Sequence, residues 1–101
     1  MIYQSKIIKL RIEKAKRLLL EIEPLMKLQF YTTVINRLYY SCFHATFALL
    51  LTKSITPKTH KGLATMLNLQ FVTTGEFETN KAAFFGDLLK ERIRDDCNEN
   101  F

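Results

Sequence analysis

The chain has 101 residues, with 15 Lys+Arg against 10 Asp+Glu and a formal net charge of +5. Hydrophobic residues make up 48% and charged residues 25%, which fits one globular domain over 1–101 and excludes two-domain enzymes and disordered tracts. With 3 Gly and 2 Pro, it lacks the frequent turns of a β-sandwich.

The N-terminal stretch predicts an amphipathic helix. Ile8, Ile12, Ala15, Leu19, Ile22 and Met26 recur at alternating spacings of four and three. Lys6, Lys9, Arg11, Lys14, Lys16 and Arg17 fall mostly on the other faces, and Pro24 should stop or kink the helix. This run is broken by charge too often for a signal peptide. A second helix is expected from about Phe30 to Lys53, apolar nearly all round, as in a helix surrounded by others. Its apolar stretch Ser41–Leu51 is shorter than the ~20 residues of a membrane span, so a soluble, cytoplasmic protein without membrane association is expected.

Thr56 as N-cap and Pro57 at the first position predict a third helix reaching about Phe71, closed by Thr73-Thr74-Gly75. Thr79 or Asn80 should cap a fourth helix from about Lys81 to Cys97, with Phe85, Leu88, Leu89 and Arg92 on one side. The expected fold class is all-α, an up-and-down antiparallel bundle of four helices. Cys42 and Cys97 lie far apart with no CxxC or Cys/His spacing, so free thiols are expected and no structural metal. No Walker loop, GxGxxG, HExxH or GxSxG occurs, and the acidic residues form no Mg²⁺ pattern, so no cofactor is expected.

The second helix carries the polar residues that need explaining: Asn36, Arg37, Tyr39, Tyr40 and His44. Arg37 and His44 are two turns apart, so both leave one face about 10 Å apart along the axis, with Tyr40 between them. An Arg that grips phosphate bidentately and a His that moves a proton suit metal-free RNA cleavage by the 2′-hydroxyl. The same residues also suit a purely structural role as hydrogen-bonded bundle residues. Lys58, His60 and Lys61 sit at the start of the third helix, either as a phosphate-binding turn or as a solvated helix start. Arg92 and Asp96, spaced i,i+4, form an intrahelical ion pair or belong to one polar cluster with Arg37. The basic face of the first helix either attracts nucleic acid or is simply solvated.

Asn36-Arg37-Leu38-Tyr39-Tyr40-Ser41-Cys42-Phe43-His44-Ala45 resembles the NRxYYAxFHA signature of HEPN domains. Pro57-Lys58-Thr59-His60-Lys61-Gly62 is similar to the family's SHKG turn, and Phe71-Val72-Thr73-Thr74-Gly75 to its FVKTG. Arg92-Ile93-Arg94-Asp95-Asp96-Cys97 stands where RxxADY is usual. With the four motifs in order, the chain resembles the small bacterial HEPN proteins, often encoded beside a minimal nucleotidyltransferase. The resemblance implies a dimerising helical bundle. For active members it implies a metal-independent RNase with an Arg-x4–6-His motif at the dimer interface, often acting as a toxin.

Arg37 and His44 satisfy that spacing. Leu38, however, follows Arg37 where active members usually carry a polar residue, and their motif generally lies on a later helix. There this chain has Arg92 and Arg94 with no following His. The family normally continues into a further helix where this chain stops at Phe101, so either that helix is missing or a partner supplies the cover, and the apolar surface left by both options favours a homodimer. Two functions follow as expectations. One is an RNA endonuclease toxin with Arg37 and His44 catalytic. The other is a non-catalytic module binding a nucleotide, RNA or a nucleotidyltransferase antitoxin through Asn36, Arg37, Tyr40, Lys58, His60, Lys61, Arg92 and Asp96. A scaffold without ligand is a third, plainer expectation.

Overall fold

A computed structural model describes residues 2–76, 78, 80, 81, 83, 84, 86–88 and 90. The expected second helix forms the axis of the molecule as α3, Tyr31–Leu51. It buries Val34, Tyr39, Ser41, Phe43, His44, Phe47, Ala48, Leu50 and Leu51. Helices α1 (Ile2–Leu20) and α2 (Ile22–Lys27) pack against it, as does α4 (His60–Leu67). A single π-helical turn, Asn68–Val72, extends α4, and the described residues between 80 and 90 are helical. The described residues therefore form the expected all-α fold.

The first helix breaks earlier than Pro24 suggests. The chain turns at Glu21, and Pro24 sits inside the first turn of α2, where its missing N–H costs nothing. The buried stripe also shifts. Ala15 is buried and Ile7 and Ile8 pack on the core, but Leu19 and Met26 are exposed. Contacts of Arg11 with His44, Ala15 with Ser41 and Glu21 with Arg37 show that α1 and α3 run antiparallel. Between the two helices the buried Ser41 hydroxyl donates to the Ala15 carbonyl at 3.0 Å, and Ala15 is itself buried there.

Both ends of α3 are set by the same device. Before it, Gln29 at φ 63° carries the chain out of α2, with the Phe30 amide donating to the Leu25 carbonyl and that of Gln29 to Met26. After it, Ser54 at φ 60° repeats the pattern, with Ile55 donating to Leu50 and Ser54 to Leu51. These are Schellman closures made without glycine.

The third helix starts later than expected, at His60 with Thr59 as N-cap, where the Gly62 amide donates to Thr59 Oγ1 at 2.8 Å. Pro57 instead lies in the segment Ile55–Thr59, which carries the chain back along α3. Five extended residues span about 16 Å, enough to return roughly three helical turns. Accordingly His60 meets Tyr39 in the middle of α3, whereas Gln70 meets Lys53 just past its end. Helix α4 thus climbs beside α3 in the same sense, while α1 keeps the up-and-down order. The core joins Tyr39, Phe43, Phe47, Leu50 and Leu51 to Leu63, Leu67, Phe71 and Leu88. Each large side chain buried there contributes about 1.5–3 kcal/mol of transfer free energy.

Candidate functional site

Two polar clusters sit where α3 meets the first helices. At the first, Arg37 Nε donates to Glu21 Oε1 at 2.9 Å and Nη1 to Asn36 Oδ1 at 2.7 Å. Glu21 is the residue at which α1 gives way to α2, so the break in the helix delivers the carboxylate. The Arg37 side chain is 32% exposed and that of Glu21 45%, which leaves the pair open to water and worth at most about 1 kcal/mol.

At the second, Arg11 Nη1 on α1 lies 2.8 Å from Nδ1 of His44 on α3. The Arg11 guanidinium is 3.9 Å from the centroid of the Phe47 ring and 5.6 Å from that of Phe43, close enough for cation–π attraction. His44 is buried. Burial first, then the positive charges of Arg11 and Lys14, push its pKa from 6.5 down to about 4. The imidazole is therefore uncharged near neutral pH.

Arg37 turns toward Glu21 and His44 toward Arg11, so the two residues of the spaced pair are directed to different partners. Tyr40 stands half-buried beside them, its ring edge-on to Tyr39, Phe43 and His60 and 6.3 Å from His44. His60 corrects the expectation of a solvated helix start: it is buried, with Nδ1 hydrogen-bonded to the Tyr39 hydroxyl. Lys58 and Lys61 beside it are exposed. Arg92 and Asp96 lie outside the described residues.

Arg11 and Glu21 were the residues that sequence reasoning missed as site members. The signal was a second stripe in α1 and α2: Ile7, Arg11, Ala15, Leu18, Ile22 and Leu25 also recur at helical spacing, and all are at least half-buried in the fold. An arginine in an otherwise apolar stripe needs a buried acceptor or an aromatic face.

On the other side of α3, Cys42, Ala45, Thr46 and Leu49 line an apolar groove of about 550 Å³ with Leu67 and Phe84. Burial raises the pKa of the Cys42 thiol, which keeps it protonated. Among the described residues, no three His, Cys, Asp or Glu side chains group as a metal site would, and no helix is long and apolar enough to cross a membrane.

Comparison with known proteins matches residues 8–99 to the HEPN domain. The chain belongs to the HEPN domain family. It is 37% identical over 90 residues to the Methanocaldococcus jannaschii protein named "Putative toxin MJ0142", covering 89% of this chain and 60% of that one. A second protein of that organism, named "Putative toxin MJ0605", is 40% identical over 67 residues, or 66% of this chain and 50% of its own length. A Thermotoga maritima protein named "UPF0332 protein" is 29% identical over 96 residues, 95% of this chain and 73% of that one. This HEPN chain thus spans little more than half the length of the two relatives named as toxins. No solved structure matches it.

Proposed function

We propose that this HEPN chain is the toxin-type member of a toxin–antitoxin pair, binds RNA as a dimer in the cytoplasm, and holds RNA phosphate through Arg37. Family membership and the two relatives with toxin names support the toxin class. A minimal nucleotidyltransferase is the partner that the family resemblance suggests as antitoxin. For the RNA contact, Arg37 offers a guanidinium that is part-exposed and held in place by Glu21 and Asn36. Exposed Lys6, Lys9, Lys14, Lys16 and Arg17 add a basic surface on α1.

Binding without cleavage is the chemistry that the geometry of one chain supports best. The observation that carries it is the Arg11–His44 contact: the imidazole is uncharged, and its Nδ1 lone pair is already engaged by a cation. A general base needs that lone pair free and a pKa nearer the working pH.

A second reading, metal-independent cleavage with Arg37 on the phosphate and His44 in acid–base work, is favoured by their spacing and by the toxin names. An incoming phosphate would then have to draw Arg11 off His44 before proton transfer.

One experiment separates them. A mixed RNA pool is incubated in EDTA with purified wild type, His44→Ala and Arg37→Ala, folding being checked by circular dichroism, and RNA binding is titrated against salt. The binding reading expects no cleavage, salt-sensitive binding, and binding weakened by Arg37→Ala. Cleavage by wild type that disappears in folded His44→Ala would replace it with the nuclease reading. Binding unaffected by Arg37→Ala would remove Arg37 from the contact.

A further inference from the structure

The Arg11–His44 contact joins two residues 33 positions apart, across the α1–α3 interface. Ala15, one turn from Arg11, and Ser41, three residues from His44, make the bond that fixes the two helices at that level. The guanidinium is held from a second side by the faces of Phe47 and Phe43. A guanidinium has only donors, so Nδ1 of His44 must be the acceptor and the ring proton must sit on Nε2.

We infer that Arg11 is a positioning residue for His44: it locks the imidazole in the Nε2–H form and so presents a hydrogen-bond donor in place of a proton acceptor. The groups around His44 agree. From α1 it faces Arg11 and Lys14, and both charges oppose a proton on the ring. On its own helix it meets Tyr40, at 6.3 Å, and the edge of Phe43 at 4.9 Å. From α4, the His60 ring lies 5.2 Å from that of Phe43 and 6.1 Å from that of Tyr40. Burial acts in the same direction as the charges. Under the RNA reading above, the group best suited to an Nε2–H donor is a phosphate oxygen. The tautomer itself is a property of the free chain and holds whether or not RNA binds.

Long-range ¹H–¹⁵N spectra of the full ¹⁵N-labelled chain test this directly, with the two histidines assigned by comparison with His44→Gln. At pH 7, wild-type His44 should show a protonated Nε2 and an acceptor Nδ1. Arg11→Met keeps the aliphatic stem over Phe47 but removes the donor. There the resonances should move toward a mixture of tautomers, and the His44 titration should rise by about one pH unit or more, staying below 6.5 because burial and Lys14 remain. Arg11→Lys, which retains a donor, should restore the Nε2–H form. A proton on Nδ1 in the wild type overturns the inference by itself, even if Arg11→Met fails to fold. An unchanged tautomer and titration in a folded Arg11→Met overturns it as well. Loss of RNA binding with the tautomer intact would count against the proposed function and leave Arg11's role standing.

Discussion

The hydroxyl of Tyr39 on α3 is hydrogen-bonded to Nδ1 of His60 on the first turn of α4, and both side chains are buried. This bond fixes where α4 starts along α3. Tyr39→Phe preserves the ring and its packing on Phe43 but strips the buried imidazole of that partner. The expected cost is about 1–3 kcal/mol, read as a lower midpoint in urea with an unchanged slope. A change below about 0.5 kcal/mol would mean that the bond does not hold α4 in register.

Thr59 and Gly62 are coupled through the cap. A Cβ at Gly62 would meet Thr59 Oγ1 at 2.9 Å, so alanine there must push the cap hydroxyl aside. Losing the cap costs about 1 kcal/mol, close to what alanine gains over glycine in a helix. Gly62→Ala alone should therefore be nearly neutral. In a Thr59→Gly background, where no cap remains to be lost, the same change should stabilise by about 1 kcal/mol. Equal effects in the two backgrounds would show no coupling.

Gln29 and Ser54 hold left-handed conformations that cost an L-residue about 1 kcal/mol or more. Gln29→Gly and Ser54→Gly should each raise the melting temperature by a few degrees, despite the added freedom of glycine in the unfolded chain. A drop at both sites would mean that the side chains supply contacts worth more than the strain.

The His44 pKa lies below its unfolded value, so the unfolded chain binds more protons between about pH 6.5 and 4. Stability should then rise with pH across that window and fall as the medium is acidified. His44→Gln removes the titrating group, and the difference between its unfolding curve and that of wild type should be flat above pH 7 and slope between 6.5 and 4. A difference independent of pH would contradict the buried, neutral imidazole. Carboxylates titrate in both proteins and cancel from the comparison.

Periodicity made the helices legible, because a continuous apolar run such as α3 has few other ways to be buried. The phase of α1 was less so. Ile7 and Ile8 are adjacent, and the stripe that uses Ile8 leads to Leu19 and Met26, both exposed, whereas the one that uses Ile7 passes through Arg11. A charged residue in the stripe is rejected by any hydrophobicity argument, since its aromatic and imidazole partners on α3 are invisible from α1. The start of α4 was misplaced for a similar reason. Thr56-Pro57 has good local chemistry for a helix start, but the chain needs those residues extended to return along α3 before Thr59 can cap. Arg37 and His44 were correctly placed on one helix. Their partners depended on Glu21 and Arg11, which only the packing of α1 brings into reach.

The NRxYYAxFHA signature lies on a single helix, but the imidazole in it takes its character from another one. A peptide copied from α3 alone would contain Arg37, Tyr40 and His44 in sequence and would still lack the cation that decides which nitrogen carries the proton. Its histidine would titrate as in any exposed peptide, near 6.5. Relatives that keep the α3 signature while changing the residue at the position of Arg11 should therefore carry the same letters with a different acid–base behaviour. The first helix, which holds none of the signature, is where such relatives would diverge in chemistry.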